Sequence, residues 1–193
     1  MTTFSLHTQK IKNAFAGFTL IETLIAITVL TMSIVGPFQI VQGVLNSAYN
    51  SRDQLIGAGL AQEGMEYVRE ARDGNYLYNV HGGAVAWMYG FDGTGGSPNC
   101  YSNAYANPSD CSVDPQKKTV AACGSVGCMP TPLYLEANSY LYTQQTIGTV
   151  TRFTRTVRMT QISVTETLVT VTVTWENHGS KSVVLQEYLR NWL

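Results

Sequence analysis

The chain has 193 residues, with 12 Lys and Arg against 13 Asp and Glu, so its formal net charge is −1. Charged residues make up 13% of it, about half of the roughly 25% typical of soluble globular domains. This near balance of charge argues against a protein that binds nucleic acid through a basic surface. The hydrophobic content of 45% argues against a disordered chain.

The first predicted element is a long apolar helix that begins near residue 18. No charged residue occurs between Glu22 and Arg52, and this stretch exceeds the roughly 20 apolar residues that a membrane-spanning helix needs. It is also longer than the about 7 to 15 apolar residues of a cleaved secretory signal. Lys10 and Lys12 precede it. The positive-inside rule therefore predicts a single span with its N-terminus in the cytoplasm and the rest of the chain exported.

One acidic residue, Glu22, lies inside the apolar run. At a bilayer centre an acid costs about 2.5 to 3.5 kcal/mol, and less near an interface, so taken alone Glu22 is compatible with a tolerated interfacial acid. Its neighbours suggest more. A polar leader ends at Gly17, the aromatic Phe18 follows, and Glu22 comes four residues after it in the string AGFTLIE.

This junction resembles the prepilin signal of the type IV pilin and type II secretion pseudopilin superfamily. The resemblance implies that prepilin peptidase removes the leader, residues 1–17, by cutting after Gly17 and then methylates the amine of Phe18. It also implies that Glu22 neutralises this amine, in its own or a neighbouring subunit, and sets the register of helices in a filament. Ion pairs in apolar surroundings suit such a register role. The implied partners are the peptidase, other pilin or pseudopilin subunits and an inner-membrane assembly platform; no cofactor or metal is expected.

The apolar helix is expected to cover residues 18–45 and to continue as an amphipathic helix over residues 46–74. Pro37 predicts a kink or local melting, because it removes one backbone hydrogen bond, and in pilins a proline near this point marks a segment that unravels during assembly. Apolar residues recur at helical spacing at Leu45, Tyr49, Ile56, Leu60, Tyr67 and Ala71. Three glycines either weaken the helix or allow the close approach of a sheet or a neighbouring stem: Gly57, Gly59 and Gly64.

Residues 75–130 form a predicted loop that is rich in Gly, Asn, Ser, Tyr and Pro and holds all four cysteines. The spacing of Cys100, Cys111, Cys123 and Cys128 is not that of a zinc site, and export favours disulfides. The sequence does not choose among the three possible pairings. We expect Cys100–Cys111 and Cys123–Cys128, because each closes a short loop.

The same loop contains acidic and aromatic residues without a complete binding motif. The Gly-rich stretch at residues 92–96, Asp110 and Asp114 lack the pattern of a phosphate or calcium loop, and they are interpreted as exposed loop positions. The aromatic residues form either a partner-binding surface or a layer buried against the helix. They are Tyr76, Tyr78, Trp87, Tyr89, Phe91, Tyr101 and Tyr105.

Residues 131–193 are predicted to form an antiparallel β-sheet. A short hairpin is expected over Leu133–Glu136 and Tyr140–Gln145, and a turn at residues 177–180 leads into a return strand, Ser182–Leu189. Apolar residues alternate with threonines, as in a sheet packed on one face, at Phe153, Val157 and Met159 and again at Val169, Val171, Val173 and Trp175. The predicted fold class is α+β, with a long N-terminal helix packed on a C-terminal antiparallel sheet, as in pilins.

These features predict a structural minor pilin or pseudopilin, assembled into or priming a type IV pilus-like filament. The C-terminal strands resemble those of PilV-like minor pilins. The alternatives are a membrane-anchored adhesin or binding module, or a minor pseudopilin of type II secretion or DNA uptake. His7, His81 and His178 lie apart in the sequence, so we do not expect an enzyme. The expected location is the inner membrane and then an extracytoplasmic filament.

Overall fold

The structure, a computed structural model, describes residues 17–101, 110–122, 131–177 and 179–191. The predicted α+β fold is confirmed, since one long helix, α1, precedes a sheet whose strand pairings are all antiparallel. The chain divides into two compact units, Met1–Ala48 and Tyr49–Leu193. The elements are α1 (Leu20–Val80), a 3-10 helix (Thr94–Gly96), β1 (Cys111–Asp114), β2 (Thr119–Ala122), β3 (Pro132–Leu135), β4 (Tyr142–Thr143), β5 (Thr149–Ser163), β6 (Glu166–Glu176) and β7 (Ser180–Arg190).

Helix α1 ends at Val80, six residues later than the predicted end at residue 74. Side-chain hydrogen bonds hold the additional turn, because Asn75 Nδ2 donates to the carbonyl oxygen of Tyr89 over 2.9 Å and Asn79 exchanges two bonds of 2.9 Å with the backbone of Val85. Termination comes at Gly82, whose φ of 94° is one that glycine adopts without strain. The predicted loop therefore begins after residue 80.

The sheet is organised around the long strand β5. Strands β1 and β3 pair with one side of β5, β2 and β4 extend them, and β6 followed by β7 lies on the other side. Strands β3 and β4 form the expected short hairpin, and β7 is the expected return strand. Strands β1 and β2 were not predicted, since they lie inside the segment interpreted as a loop.

The core lies between the sheet and the part of α1 in the second unit. The alternation predicted for β5 and β6 is confirmed, because the apolar residues named for it, from Phe153 to Met159 and from Val169 to Trp175, are buried while the threonines between them are partly exposed. From α1, Leu60, Met65 and Val68 are buried against this face. Of the helix face predicted from spacing, Leu60 is buried and Ile56, Tyr67 and Ala71 are partly buried, whereas Leu45 and Tyr49 are exposed.

Arg155 occupies a position on the apolar face of β5, and its side chain is fully buried. Its guanidinium donates to the carbonyl oxygen of Leu60 over 3.0 Å, to Glu63 Oε2 over 2.7 Å and to the carbonyl oxygen of Val113 over 3.0 Å. One cation thus joins α1, β1 and β5. Among the described residues, its Nε is the one buried side-chain nitrogen or oxygen atom without a hydrogen-bond partner.

The first expected cysteine pair is present, since a disulfide joins Cys100 to Cys111. Cys123 and Cys128 lie outside the described residues. Asp114 is not an exposed loop residue as interpreted from the sequence: it is buried and accepts hydrogen bonds from Thr143 Oγ1 over 2.6 Å and from the backbone NH of Gln144 over 2.9 Å. Its carboxylate therefore holds the β1–β2 turn against β4.

The aromatic residues of the loop divide between the two predicted environments. Phe91 is buried in the core, and Trp87 and Tyr101 are half-buried beside it. Tyr76, Tyr78 and Tyr89 are exposed, and Tyr105 lies outside the described residues. The group is therefore neither a wholly exposed surface nor a wholly buried layer.

Candidate assembly site at the start of the N-terminal helix

Helix α1 begins with a side-chain cap. The backbone NH of Glu22 donates to Thr19 Oγ1 over 3.3 Å and to the Thr19 carbonyl oxygen over 3.0 Å, and the NH of Thr23 donates to the same carbonyl over 3.2 Å. A threonine followed three residues later by glutamate is the signature of a capping box. The sequence analysis assigned a role to Glu22 but did not identify Thr19 as the helix cap, although the Thr-x-x-Glu spacing indicates one.

The predicted cleavage position lies just before this cap. Gly17 and Phe18 have no regular secondary structure, Phe18 is 79% exposed, and a Cβ at Gly17 would have no neighbour within 4 Å. Among the described residues, these two positions are therefore exposed and lie outside the helix. Residues 1–16 of the expected leader lie outside the described residues.

Glu22 stands in the first turn of α1 and is exposed. An acid in this turn is stabilised by the partial positive charge of the helix N-terminus. Within the parts of the chain that the structure describes, no hydrogen bond or ion pair reaches its carboxylate. The carboxylate is therefore available to a positive charge brought by another molecule or by a newly formed N-terminus.

The helix that follows exposes a continuous apolar surface. Among the described residues α1 is the one helix long and apolar enough to cross a membrane, and an 18-residue window of it has a mean hydropathy of 2.1 with none of that window buried. Pro37 lies inside α1, and the helix continues on both sides of it. The exposed side chains include Leu24, Ile27, Leu30, Met32, Ile34, Phe38 and Val41.

Four hydroxyl side chains of this apolar segment bond to the helix that carries them. The hydroxyls of Thr23 and Thr28 donate to the carbonyl oxygens of Leu20 and Ile25 over 2.9 and 2.8 Å. Thr31 donates to the Thr28 carbonyl over 2.9 Å and Ser33 to that of Leu30 over 2.8 Å. Each of these hydroxyls therefore has an acceptor three residues earlier in its own helix.

The predicted site residues fall in two places. Gly17, Phe18 and Glu22 come together at the start of α1, with Pro37 further along the same helix, whereas Cys100 and Cys111 belong to the second unit. His81 lies at the other end of α1, and its Nδ1 is 2.7 Å from the Leu77 carbonyl oxygen. Within the described residues no three His, Cys, Asp or Glu side chains are grouped to hold a metal ion.

Residues 12–36 match the sequence profile of the prokaryotic N-terminal methylation motif. The matched segment contains Gly17, Phe18, the Thr19 cap and Glu22, and it stops one residue before Pro37. No curated protein and no solved structure matches the chain. The motif and the apolar helix together support a membrane-anchored precursor of the pilin type, and they point to a structural subunit rather than an enzyme.

Proposed function

We propose that this chain is a structural minor pilin or pseudopilin, which prepilin peptidase processes after Gly17 and which is assembled into, or primes, a type IV pilus-like filament. The observation that carries the proposal is the methylation motif at residues 12–36, in which the helix cap leaves Gly17 and Phe18 outside the helix and Glu22 inside its first turn. The peptidase would act on the exposed bond, and other subunits would contact the apolar helix that follows.

Charge explains why Glu22 belongs at this position. Cleavage leaves a cationic amine on Phe18, next to a helix end that already carries about half a positive charge. In apolar surroundings both charges are costly, and an unpaired carboxylate in the first turn offsets them. A neighbouring helix that slides until its amine meets Glu22 acquires a defined axial position, which is the register role proposed here.

The apolar surface of α1 suits the two environments that this function requires. Before assembly the helix would cross the inner membrane with its N-terminus in the cytoplasm, where Lys10 and Lys12 favour that orientation. After assembly the same side chains would pack against other subunits. The assembly platform of the inner membrane would mediate the transfer.

Processing is tested by co-expressing the full chain with an active prepilin peptidase and measuring the intact mass of the membrane-extracted protein. We expect loss of residues 1–17 and one added methyl group on the amine of Phe18. Gly17→Val should block cleavage, because a branched side chain replaces an open Cα, whereas Gly43→Val, at a helix position with equally open surroundings, should be cleaved normally. An intact Met1 in the wild-type protein beside an active peptidase would contradict the proposal. It would instead favour the alternative of a stand-alone adhesin.

Assembly is tested with Glu22→Gln, which removes the charge and keeps the shape. The variant should insert into the membrane and be cleaved like the wild type, but its ratio of filament to membrane protein on quantitative immunoblots should fall at least tenfold. Glu66→Gln in the second unit, where Glu66 pairs with Arg69, is the matched control. Equal incorporation of Glu22→Gln and the wild type would remove the register role of Glu22.

A further inference from the structure

A cavity of about 340 Å³ lies in the second unit beside the disulfide-closed loop, far along the chain from the N-terminal motif. Its walls come from the segment after α1, from the residues that flank Cys100 and from the end of β5. The lining side chains are Ala86, Trp87, Met88, Asp92, Asn99, Tyr101 and Gln161. The volume is at the lower end of the roughly 300 to 1,000 Å³ of small-molecule sites.

The walls of this cavity are held by covalent and backbone bonds. Asp92 and Asn99 face each other in an antiparallel bridge, the NH of Cys100 donates to the Phe91 carbonyl over 2.7 Å, and the NH of Met159 donates to the Cys100 carbonyl over 3.0 Å. The disulfide to Cys111 fixes the same segment to β1. A site built in this way loses little conformational freedom when a ligand enters.

Two aromatic side chains, together with Ala86 and Met88, supply the apolar part of the lining. Trp87 and Tyr101 are both half-buried against the core, and the Tyr101 hydroxyl lies 2.9 Å from Thr167 Oγ1, which fixes the orientation of its ring. Asn75 Nδ2, 3.2 Å from the Trp87 carbonyl oxygen, holds the backbone of the tryptophan. The aromatic part of the site is therefore formed before any ligand binds.

The polar side chains of the lining are exposed (Asn99 and Gln161) or half-buried (Asp92), and each keeps hydrogen-bonding groups that no atom of the described residues uses. Asn99 Oδ1 accepts from the NH of Tyr101 over 3.0 Å, and Asp92 Oδ1 accepts from the NH of Thr94 over 3.0 Å. In the described parts of the chain, the other ends of both side chains, Asn99 Nδ2 and Asp92 Oδ2, have no partner, and neither has the amide of Gln161. Two amide groups and a carboxylate oxygen thus offer both donors and acceptors.

We propose that this cavity binds one ring of a neutral saccharide. A pyranose has an apolar C–H face, which packs on an aromatic ring, and adjacent hydroxyls that each donate and accept hydrogen bonds. The lining provides the matching groups: Trp87 and Tyr101 for the face, and Asp92, Asn99 and Gln161 for the hydroxyls. None of the lining residues is Lys, Arg or His, and Asp92 repels anions, so phosphates and acidic sugars are excluded.

The test uses the full chain in a zwitterionic detergent that contains no sugar, because glycosidic detergents would compete for the site. Methyl glycosides of glucose, galactose and N-acetylglucosamine are titrated by saturation-transfer NMR and tryptophan fluorescence, with N-acetylneuraminic acid and inorganic phosphate as anionic probes. For a single ring we expect a dissociation constant on the order of 1 mM for at least one neutral glycoside. The anions should not bind.

Two substitutions locate the binding. Gln161→Ala should weaken the affinity about two- to tenfold, which is the usual effect of losing one hydrogen bond, and Asp92→Asn should weaken it by a similar factor. The matched control is Gln186→Ala, which removes an exposed glutamine that contacts Thr170 on another part of the sheet and should leave the affinity unchanged.

Three results would overturn the proposal. They are the absence of binding by every neutral glycoside at about 20 mM, roughly twenty times the expected constant, equal binding of the anionic probes, and equal affinities of the Gln161→Ala and Gln186→Ala proteins. The measurement needs neither processing at Phe18 nor a filament. Its outcome is therefore independent of the proposed structural function.

Discussion

Gly57 of α1 lies directly against the indole ring of Trp175 on β6. A Cβ atom at Gly57 would be 2.8 Å from Trp175 Cζ3, which is closer than van der Waals contact, so the absence of a side chain lets the helix approach the sheet. Gly59, two residues later, has no neighbour within 4 Å of its Cβ position. A side chain at Gly57 would therefore clash with the core, whereas a side chain at Gly59 would meet open space.

Alanine substitutions should separate these two roles. Gly57→Ala should lower the free energy of unfolding by about 1 to 3 kcal/mol, because the added methyl group overpacks the core. Gly59→Ala should raise it by up to about 1 kcal/mol, because alanine is the better helix former. Urea denaturation of the full chain in detergent, followed by tryptophan fluorescence, measures both values. A shift of both variants in the same direction would contradict this account.

Removal of the buried guanidinium should be costly. Arg155→Met removes the guanidinium that donates to the carbonyl oxygens of Leu60 and Val113 and leaves Glu63 without its partner, and we expect the free energy of unfolding to fall by about 2 to 4 kcal/mol. Glu63 keeps the loss below the upper range for buried pairs, because its side chain is 29% exposed. The comparison is Arg158→Met: Arg158 is 45% exposed and pairs with Asp110, so its loss should cost about 0 to 1 kcal/mol. Equal losses in the two variants would show that burial of Arg155 has no special weight.

The disulfide should contribute measurably to stability. Cys100 and Cys111 are separated by 11 residues, and closing a loop of this size restricts the unfolded chain by about 2 to 3 kcal/mol. The double variant Cys100→Ser, Cys111→Ser should lose that amount in chemical denaturation.

Peptide mapping under non-reducing conditions checks the pairing, and a Cys100–Cys111 peptide should persist in the Cys123→Ser, Cys128→Ser double variant. A different linked peptide would show that the pairing is not the sequential one; the Cys123–Cys128 bond itself stays a prediction.

Stability should fall above about pH 10. Burial raises the pKa of Tyr67, with smaller contributions in the same direction from Glu70 and Asp114. Burial also raises the pKa of Tyr101, an effect that the hydrogen bond with Thr167 partly offsets and Asp92 reinforces. Above the ordinary tyrosine pKa of about 10 the unfolded chain releases these protons while the folded chain keeps them. The free energy of unfolding is therefore unaffected by them below about pH 10 and decreases as the pH rises towards the folded-state pKa, by at most about 1.4 kcal/mol per pH unit for each group.

Tyr101→Phe tests this alkaline dependence. The variant loses the hydrogen bond to Thr167, which costs about 1 kcal/mol at neutral pH, but its stability should decline less steeply above pH 10 than that of the wild type. Denaturation midpoints at pH 8 and at several values above 10 measure both effects. Tyr188→Phe, at an exposed position, is the control and should keep the wild-type slope. Identical slopes in all three proteins would assign the alkaline loss to other groups.

The alternation of Thr with Val and Trp predicted β5 and β6, because a strand with one buried face leaves a period-two pattern in its own local sequence. The same pattern does not explain Arg155, which occupies a position on the apolar face of β5. A cation is buried at such a position only when groups distant in sequence accept its hydrogen bonds. Those groups are the Leu60 carbonyl, Glu63 and the Val113 carbonyl, and no local rule brings them together. Asp114 was placed at the surface for the same reason.

The end of α1 shows how distant contacts change a boundary. Gly74 weakens the helix locally, but the amides of Asn75 and Asn79 find backbone partners in the following segment, and the helix continues. Strands β1 and β2 contain polar residues and were not recognised inside the predicted loop. Strand β1 is positioned by its pairing with β5 and by the disulfide at Cys111, and β2 pairs with β1. Gly17, Phe18 and Glu22 could be singled out from the sequence because they lie within six residues of one another, and the matched profile covers this segment; their roles stay predictions.

The hydroxyl bonds of Thr23, Thr28, Thr31 and Ser33 have a consequence for the movement of the helix between environments. Because each of these four donors is satisfied by a carbonyl of its own helix, these hydroxyls need no hydrogen-bond partner from lipid, water or another protein. Transfer of the helix from one apolar surrounding to another leaves these four bonds intact, so the hydroxyls add little to the free-energy difference between the two states.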